Sequence, residues 1–134
     1  MKIDNQFDPI DIAISGIKAQ AKSIKVISTN VANAQTADNG DGQPYRRLEP
    51  VFRPNDDELG PVSFDEVAAD MSKFPKVLKP GHPMADADGY VSMPNVSMPM
   101  EMMNLNMAAR SYQANVAILK RYQQVVETSL ELLK

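Results

Sequence analysis

The sequence predicts an α+β protein in which two long terminal helices pair as a coiled-coil-like unit, with a small irregular β-rich domain between them. Three observations carry this. Glycine and proline are segregated, since every glycine except Gly16 and nine of the ten prolines fall between Gly40 and Pro99, so only the ends are free to be helical. Apolar residues recur at alternating spacings of three and four in both ends. The middle offers short β-type runs bounded by turn formers instead.

Asp8 is placed to cap the first helix, with Pro9 at its first position and Asp11 near the positive end of the helix dipole. Ile10, Ile14, Ile17, Ala21, Ile24, Ser28 and Val31 then draw one stripe along about 25 residues. The stripe ends in Asn30-Val31-Ala32-Asn33, before the turn-rich Asp38-Asn39-Gly40-Asp41-Gly42. Four strands are expected next, over Tyr45–Phe52, Pro61–Val67, Pro75–Leu78 and Gly89–Met93, around a small core of Tyr45, Leu48, Phe52, Leu59, Phe64, Phe74 and Tyr90. Beyond Pro99 there is neither glycine nor proline, and Met102, Leu105, Ala109, Tyr112, Val116, Leu119, Gln123, Val126, Leu130 and Leu133 sustain the heptad. A helix there could reach on the order of 50 Å at 1.5 Å per residue, outreaching the first by several turns. The organisation expected is a flexible extension over residues 1–7, paired helices over 8–34 and 99–134, and a β-rich domain over 35–98.

A closed two-helix hairpin satisfies one stripe on each helix, and these helices carry more than one. Ile118, Val125 and Leu132 lie seven apart beside Leu119, Val126 and Leu133, and Met103 and Met107 widen that face. Ile12, Val26 and Ile27 lie off the first helix's stripe. A hairpin alone would leave this surface in water, so neighbouring chains are expected to cover it. Each fully buried aliphatic side chain contributes about 1.5 to 3 kcal/mol, enough for a few per subunit to offset much of the cost of association. The candidate assembly interface is Ile10, Ile14, Ile17, Ile24, Val31, Met102, Leu105, Ala109, Tyr112, Val116, Ile118, Leu119, Val125, Val126, Leu130 and Leu133. Gln113 and Asn115, beside Tyr112, either fix register where helices meet or belong to an exposed polar face. The methionines between Met93 and Met107 suit either a surface meeting non-identical neighbours or ordinary packing.

Composition excludes several function classes. Hydrophobic residues make up 43%, charged residues 23%, and the net charge is −3, as in ordinary globular chains. No apolar run approaches the roughly 20 residues of a membrane helix, so no direct membrane insertion is expected. The first residues, with Asp4, Asp8 and Asp11, lack the layout of a cleavable signal peptide. Lysine and arginine look scattered, with no basic stripe for phosphates, so no nucleic-acid partner is expected. Cysteine is absent, removing thiol chemistry and disulfides. The only histidine, His82, lies in the turn Pro80-Gly81-His82-Pro83, a poor start for a triad or a metal site. Asp86-Ala87-Asp88-Gly89 does not fit a calcium loop, because Met84 and Asn95 occupy its first and last ligand positions; Asp86 and Asp88 read as turn formers. Asp56-Asp57 and Asp65-Glu66 read as solvated surface, and no phosphate-cradling glycine motif exists. No cofactor and no catalytic residue are expected.

Particular blocks then tie the chain to a known family. They are Ser15-Gly16-Ile17-Lys18-Ala19-Gln20, Ser28-Thr29-Asn30-Val31-Ala32-Asn33-Ala34, Gly42-Gln43-Pro44-Tyr45-Arg46-Arg47, Pro80-Gly81-His82-Pro83 with Ala85-Asp86, Gly89-Tyr90-Val91 with Met93-Pro94-Asn95-Val96, and Arg110-Ser111-Tyr112-Gln113-Ala114-Asn115-Val116. In these the chain resembles the rod proteins of the bacterial flagellar basal body, and among them the proximal-rod family, whose members build the drive shaft crossing the cell envelope. The resemblance implies that the terminal helices form the inner tube of a helical assembly and the β-rich middle faces outward. It implies a place in the periplasm-spanning rod, reached by type III export without a cleaved signal, with residues 1–7 as the export segment. Implied partners are copies of the chain itself, other proximal-rod and distal-rod proteins, and the junction protein at the membrane ring. Met98-Pro99-Met100 departs from the family, which usually continues helix there. Other readings open to the residues are a different flagellar axial component of the distal rod or hook, a soluble helical binding module or export chaperone, and a small enzyme using His82 with Asp86.

Overall fold

The computed structural model describes residues 9–54 and 62–133. Asp8, Asp56, Asp57, Leu59 and the extension expected over residues 1–7 lie outside them. The elements are α1 (Pro9–Ala32), β1 (Leu48–Pro54), β2 (Val62–Ala69), β3 (Lys76–Leu78), β4 (Tyr90–Ser92) and α2 (Met98–Glu131). The two helices pack together with the β region between them in sequence, the α+β class predicted. Pro99 does not delay α2: the Ser97 carbonyl accepts the Glu101 N–H at 2.9 Å, and a proline in the first turn gives up only an N–H that has no helical partner.

Contacts divide the chain into two compact units, one of Met1–Ile24, Val51–Glu66 and Asn106–Lys134, the other of Lys25–Pro50 and Val67–Leu105. The second is the better filled. Val26, Ile27, Ala37, Tyr45 and Val91 are buried there, and the largest fully buried side chains among the described residues are Glu101, Val91 and Asn30. Its sheet pairs β3 with β4 antiparallel, Val77 opposite Val91. Tyr90, expected in the core, is 42% exposed, whereas Val91 is 0% exposed; in a strand neighbours face opposite ways, and the smaller residue drew the inner face. The loop between them is held by Asp86, whose Oδ1 accepts the N–H groups of Asp88 and Tyr90, and His82 Nδ1 accepts the Met84 N–H at 3.1 Å. After α1, Asp38 Oδ1 accepts from Gly40 and Gly42, both at positive φ, a turn that favours glycine. β1 begins three residues later than expected because Tyr45 and Arg47 spend their N–H groups on the Thr36 carbonyl and Asn95 Oδ1.

In the first unit the described core is built of small residues: Ala13, Ala19, Ser23 and Ala108 are buried. β1 pairs with β2, and Phe52 meets Phe64 edge to face with centroids 6.1 Å apart. A Cβ added at Gly16 would lie 2.6 Å from Asn115 Nδ2, so α1 and α2 approach there as closely as a hydrogen side chain allows. The same helices meet in the other unit, where Asn30 Nδ2 donates to Glu101 Oε2. In both contacts the residue numbers add to 131, the mark of helices running antiparallel. At that register α1's first described residue, Pro9, is level with position 122, and α2 continues to Glu131.

The seam of α1 is not the isoleucine stripe. Ala13, Ala19, Ser23, Val26, Ile27 and Asn30 are buried, while Ile10, Ile14, Ile17, Ile24 and Val31 are half-buried. At about 100° per residue the two faces lie roughly a third of a turn apart. Val26 and Ile27, expected to point outward, therefore belong to the core. Helix separation is set by the side chains at the contact, and here the smallest, not the greasiest, line it.

Candidate functional site

Two features of the fold bear on function, a buried polar knot and a set of helix faces left uncovered. The knot lies within the second unit. Asn30 Oδ1 accepts from the Tyr45 hydroxyl and the Leu48 N–H, both at 2.9 Å, and its Nδ2 donates to the Leu48 carbonyl at 2.8 Å and to Glu101 Oε2 at 3.2 Å. Glu101, whose side chain is 0% exposed, accepts from Arg47 Nε at 2.6 Å. Arg47 also bonds Glu49 and reaches Asp70 Oδ2 at 3.5 Å. Asn95 closes the cluster by donating to the Asp70 carbonyl and Ser72 Oγ. Among the described residues no buried side-chain nitrogen or oxygen lacks a partner. A buried carboxylate is tolerable only in such company.

Titration follows the geometry. Burial pulls the Arg47 pKa down, but the bonds to Glu101 and Glu49 outweigh it and the net shift is upward. Burial, then the Glu101 charge, raises Tyr45. The Ser72 N–H holds Asp70 below the usual carboxylate range, with Arg47 adding to it; the Tyr90 N–H, then Lys76, does the same for Asp86. These are groups locked into structure, and no described cluster of His, Asp and Glu could hold a metal ion.

The candidate interface residues fall into two groups. Ile10, Ile14, Ile17, Ile24 and Val31 of α1, and Leu105, Ala109, Tyr112, Val116 and Leu119 of α2, are half-buried. Met102, Ile118, Val125, Val126, Leu130 and Leu133 are exposed, as is Leu132, with Val125 at 60%, Leu130 at 59% and Leu133 at 84%. Every described position of α2 from Lys120 onward is exposed. Asn115 is half-buried against Gly16, while Gln113 is exposed. A second stripe, Met100, Met103, Met107, Ile118, Val125 and Leu132, follows heptad spacing along the helix and is exposed throughout.

Sequence reasoning missed Asn30, Arg47, Asn95 and Glu101 as a set, because their partners come from four separated segments. It also read the lysines of α1 as scattered, whereas Lys18, Lys22 and Lys25, spaced four and three, share one exposed helix face. No described helix is long and apolar enough to cross a membrane.

Long paired helices with bare apolar faces are the features of a structural subunit. Comparison with known proteins gives the same class: residues 87–132 match the family described as flagellar basal body rod FlgEFG protein C-terminal. The chain is 40% identical over 125 residues to flagellar basal-body rod protein FlgC of Salmonella typhimurium, covering 91% of this chain and 93% of that one. It is 35% identical to the Agrobacterium fabrum FlgC over 92% of this chain and 91% of that one, and 32% identical to the Aquifex aeolicus FlgC over 96% and 97%. The chain belongs to the FlgC family of flagellar basal-body rod proteins.

Proposed function

We propose that the chain polymerises through its two helices as a subunit of the proximal rod, and that its role is mechanical rather than catalytic. Residues 8–34 and 99–134 act as the assembly domain, and residues 35–98 face outward. Its partners are copies of itself, other proximal-rod and distal-rod proteins and the junction protein at the membrane ring, in a rod spanning the periplasm. Export without a cleaved leader belongs to the same reading and rests on the family alone.

The observation that carries this is the last third of α2 together with the turn that follows it. Val125, Leu130, Leu132 and Leu133 are 59% to 84% exposed, and burying each would contribute about 1.5 to 3 kcal/mol. Such a face is a liability on a lone molecule and an asset in a polymer. His82 as a catalytic base is a weaker reading, since its Nδ1 already accepts the Met84 N–H. Removing Val126 to Lys134 is expected to abolish incorporation into basal bodies and swimming while the β-rich region stays folded. Basal bodies are isolated and their protein content measured by mass spectrometry; normal motility of that strain would refute the proposal.

A further inference from the structure

We propose that the end of α2 in one copy lies antiparallel along the outer face of α1 in the next copy, in a single register set by lysine–glutamate pairs. This rests on the rod-subunit reading and names the faces that mate.

The outer face of α1 carries Ile17, Ala21, Ile24 and Ser28, all half-buried or exposed. The end of α2 carries Gln123, Val126 and Leu130, and the turn that follows it Leu133, all exposed. Reversed against each other, the two stripes match layer by layer: Ile17 with Leu133, Ala21 with Leu130, Ile24 with Val126, Ser28 with Gln123. Three layers are apolar against apolar, and the fourth is polar against polar. A slip of one turn would set the Gln123 amide against Ile24, the kind of mismatch that fixes register in helix pairs.

Charge selects both orientation and register. Lys18, Lys22 and Lys25 flank the α1 stripe on one side, and Glu127 and Glu131 flank the α2 stripe with the same sense of rotation about the helix. Flanks of the same sense meet on one side only when the helices run antiparallel. In the register above, Glu127 is level with the gap between Lys22 and Lys25, and Glu131 with the gap between Lys18 and Lys22. Among the described residues none of these five makes an ion pair; Lys22 sits over the Phe64 ring, 5.1 Å from its centroid, and Lys18 and Lys25 on either side are exposed.

The occupant is a second copy because both halves of the match lie on this chain and the chain cannot bring them together itself. Its own helices pair where residue numbers add to 131, whereas the matched layers add to 150 or 151. The offset corresponds to about 29 Å along the helix at 1.5 Å per residue. Copies pointing the same way already present α1 antiparallel to a neighbour's α2, so the contact is heterologous and propagates instead of closing.

The absence of native cysteine makes the test clean. The full chain carrying Ser28→Cys and Gln123→Cys replaces the native protein in cells; basal bodies are isolated, oxidised and run without reductant. A ladder of multiples of this chain is expected, and none from the pair Ser28→Cys with Tyr112→Cys. Basal bodies that form and turn but give no ladder overturn the register, leaving the rod reading intact. Bands shown by mass spectrometry to contain a different rod protein overturn the choice of occupant. Independently, K18E/K22E/K25E and E127K/E131K are each expected to weaken self-association of the purified chain about tenfold at low salt, because exposed pairs turn from attraction to repulsion. Combining them should restore it. Failure of the combination to recover, with unchanged circular dichroism, overturns the pairing.

Discussion

Removing Glu101 should destabilise the chain more than any other single truncation in the second unit. In Glu101→Ala the Arg47 Nε–H loses a 2.6 Å charge-assisted bond and Asn30 loses its 3.2 Å acceptor, inside a site where Glu101 is 0% exposed. Breaking a buried ion pair from one side typically costs about 3 to 5 kcal/mol. The lower end applies, because Arg47 keeps Glu49 and Asp70 and its own side chain is 17% exposed. About 3 kcal/mol is a large part of the stability of a chain this size, and corresponds to a fall in Tm of roughly 10 °C. Urea and thermal unfolding of the purified chain by circular dichroism read it directly. Glu101→Gln, which keeps an acceptor and the volume, should lose about half as much, and the R47A/E101A cycle should show coupling of at least about 1.5 kcal/mol. A loss under about 0.5 kcal/mol for the alanine variant, or additive single losses, would show that the knot does not hold the segments together.

Other outcomes follow from the same geometry. Gly16→Val should cost about 1 to 3 kcal/mol by overpacking against Asn115, whereas Gly16→Ala paired with Asn115→Ala should gain up to about 1 kcal/mol of helix propensity; urea midpoints of the two separate close approach from a general intolerance of change. Asp70 and Asp86 have folded pKa values below the unfolded one, so their contribution is complete above the unfolded value of about 4 and is lost as pH falls through the folded values. Urea midpoints taken from pH 6 to 3 should hold until about pH 5 and then decline, with a shallower decline in D70N/D86N; an identical decline in that variant argues against these two carboxylates. Val125→Asp with Leu132→Asp, at positions 60% and 83% exposed, should change the stability of the lone subunit by less than about 0.5 kcal/mol yet abolish incorporation into basal bodies. Incorporation at the normal level would mean that this face meets no neighbour.

The helices were legible because their signals are local and redundant: glycine and proline stop where helix starts, and heptads run the length of both ends. Strand positions were legible to within a few residues from turn chemistry. The contact face of α1 was not. Periodicity weights large apolar residues, so Ile10, Ile14, Ile17 and Ile24 dominated the reading, while the seam runs through Ala13, Gly16, Ala19 and Ser23, whose value is their smallness. The knot was hidden for a different reason. Asn30 and Glu101 are polar residues in helical segments, and nothing in their immediate neighbours announces that Tyr45, Arg47 and Leu48 will reach them. Burial of a polar group is a property of the whole fold.

That miss changes what the isoleucine stripe is for. If Ile14, Ile17 and Ile24 filled the intramolecular seam, α1 would have little apolar surface to offer a neighbour, and only α2 could mediate assembly. Because small residues take the seam instead, the stripe remains half-buried, and under the proposed assembly α1 and α2 would each keep a face for another chain. Close approach inside the molecule and apolar surface left outside it thus follow from one choice, the placement of Ala, Gly and Ser where the helices touch. A stiff shaft needs both. The inner contact must be tight enough that load does not shear the hairpin, and the outer contact must repeat identically from copy to copy. The bond from Asn30 Nδ2 on α1 to Glu101 Oε2 on α2, held in place by Arg47 from the segment between them, would serve the first demand, since a polar pair with fixed partners resists sliding of one helix past the other in a way that interchangeable methyl groups do not.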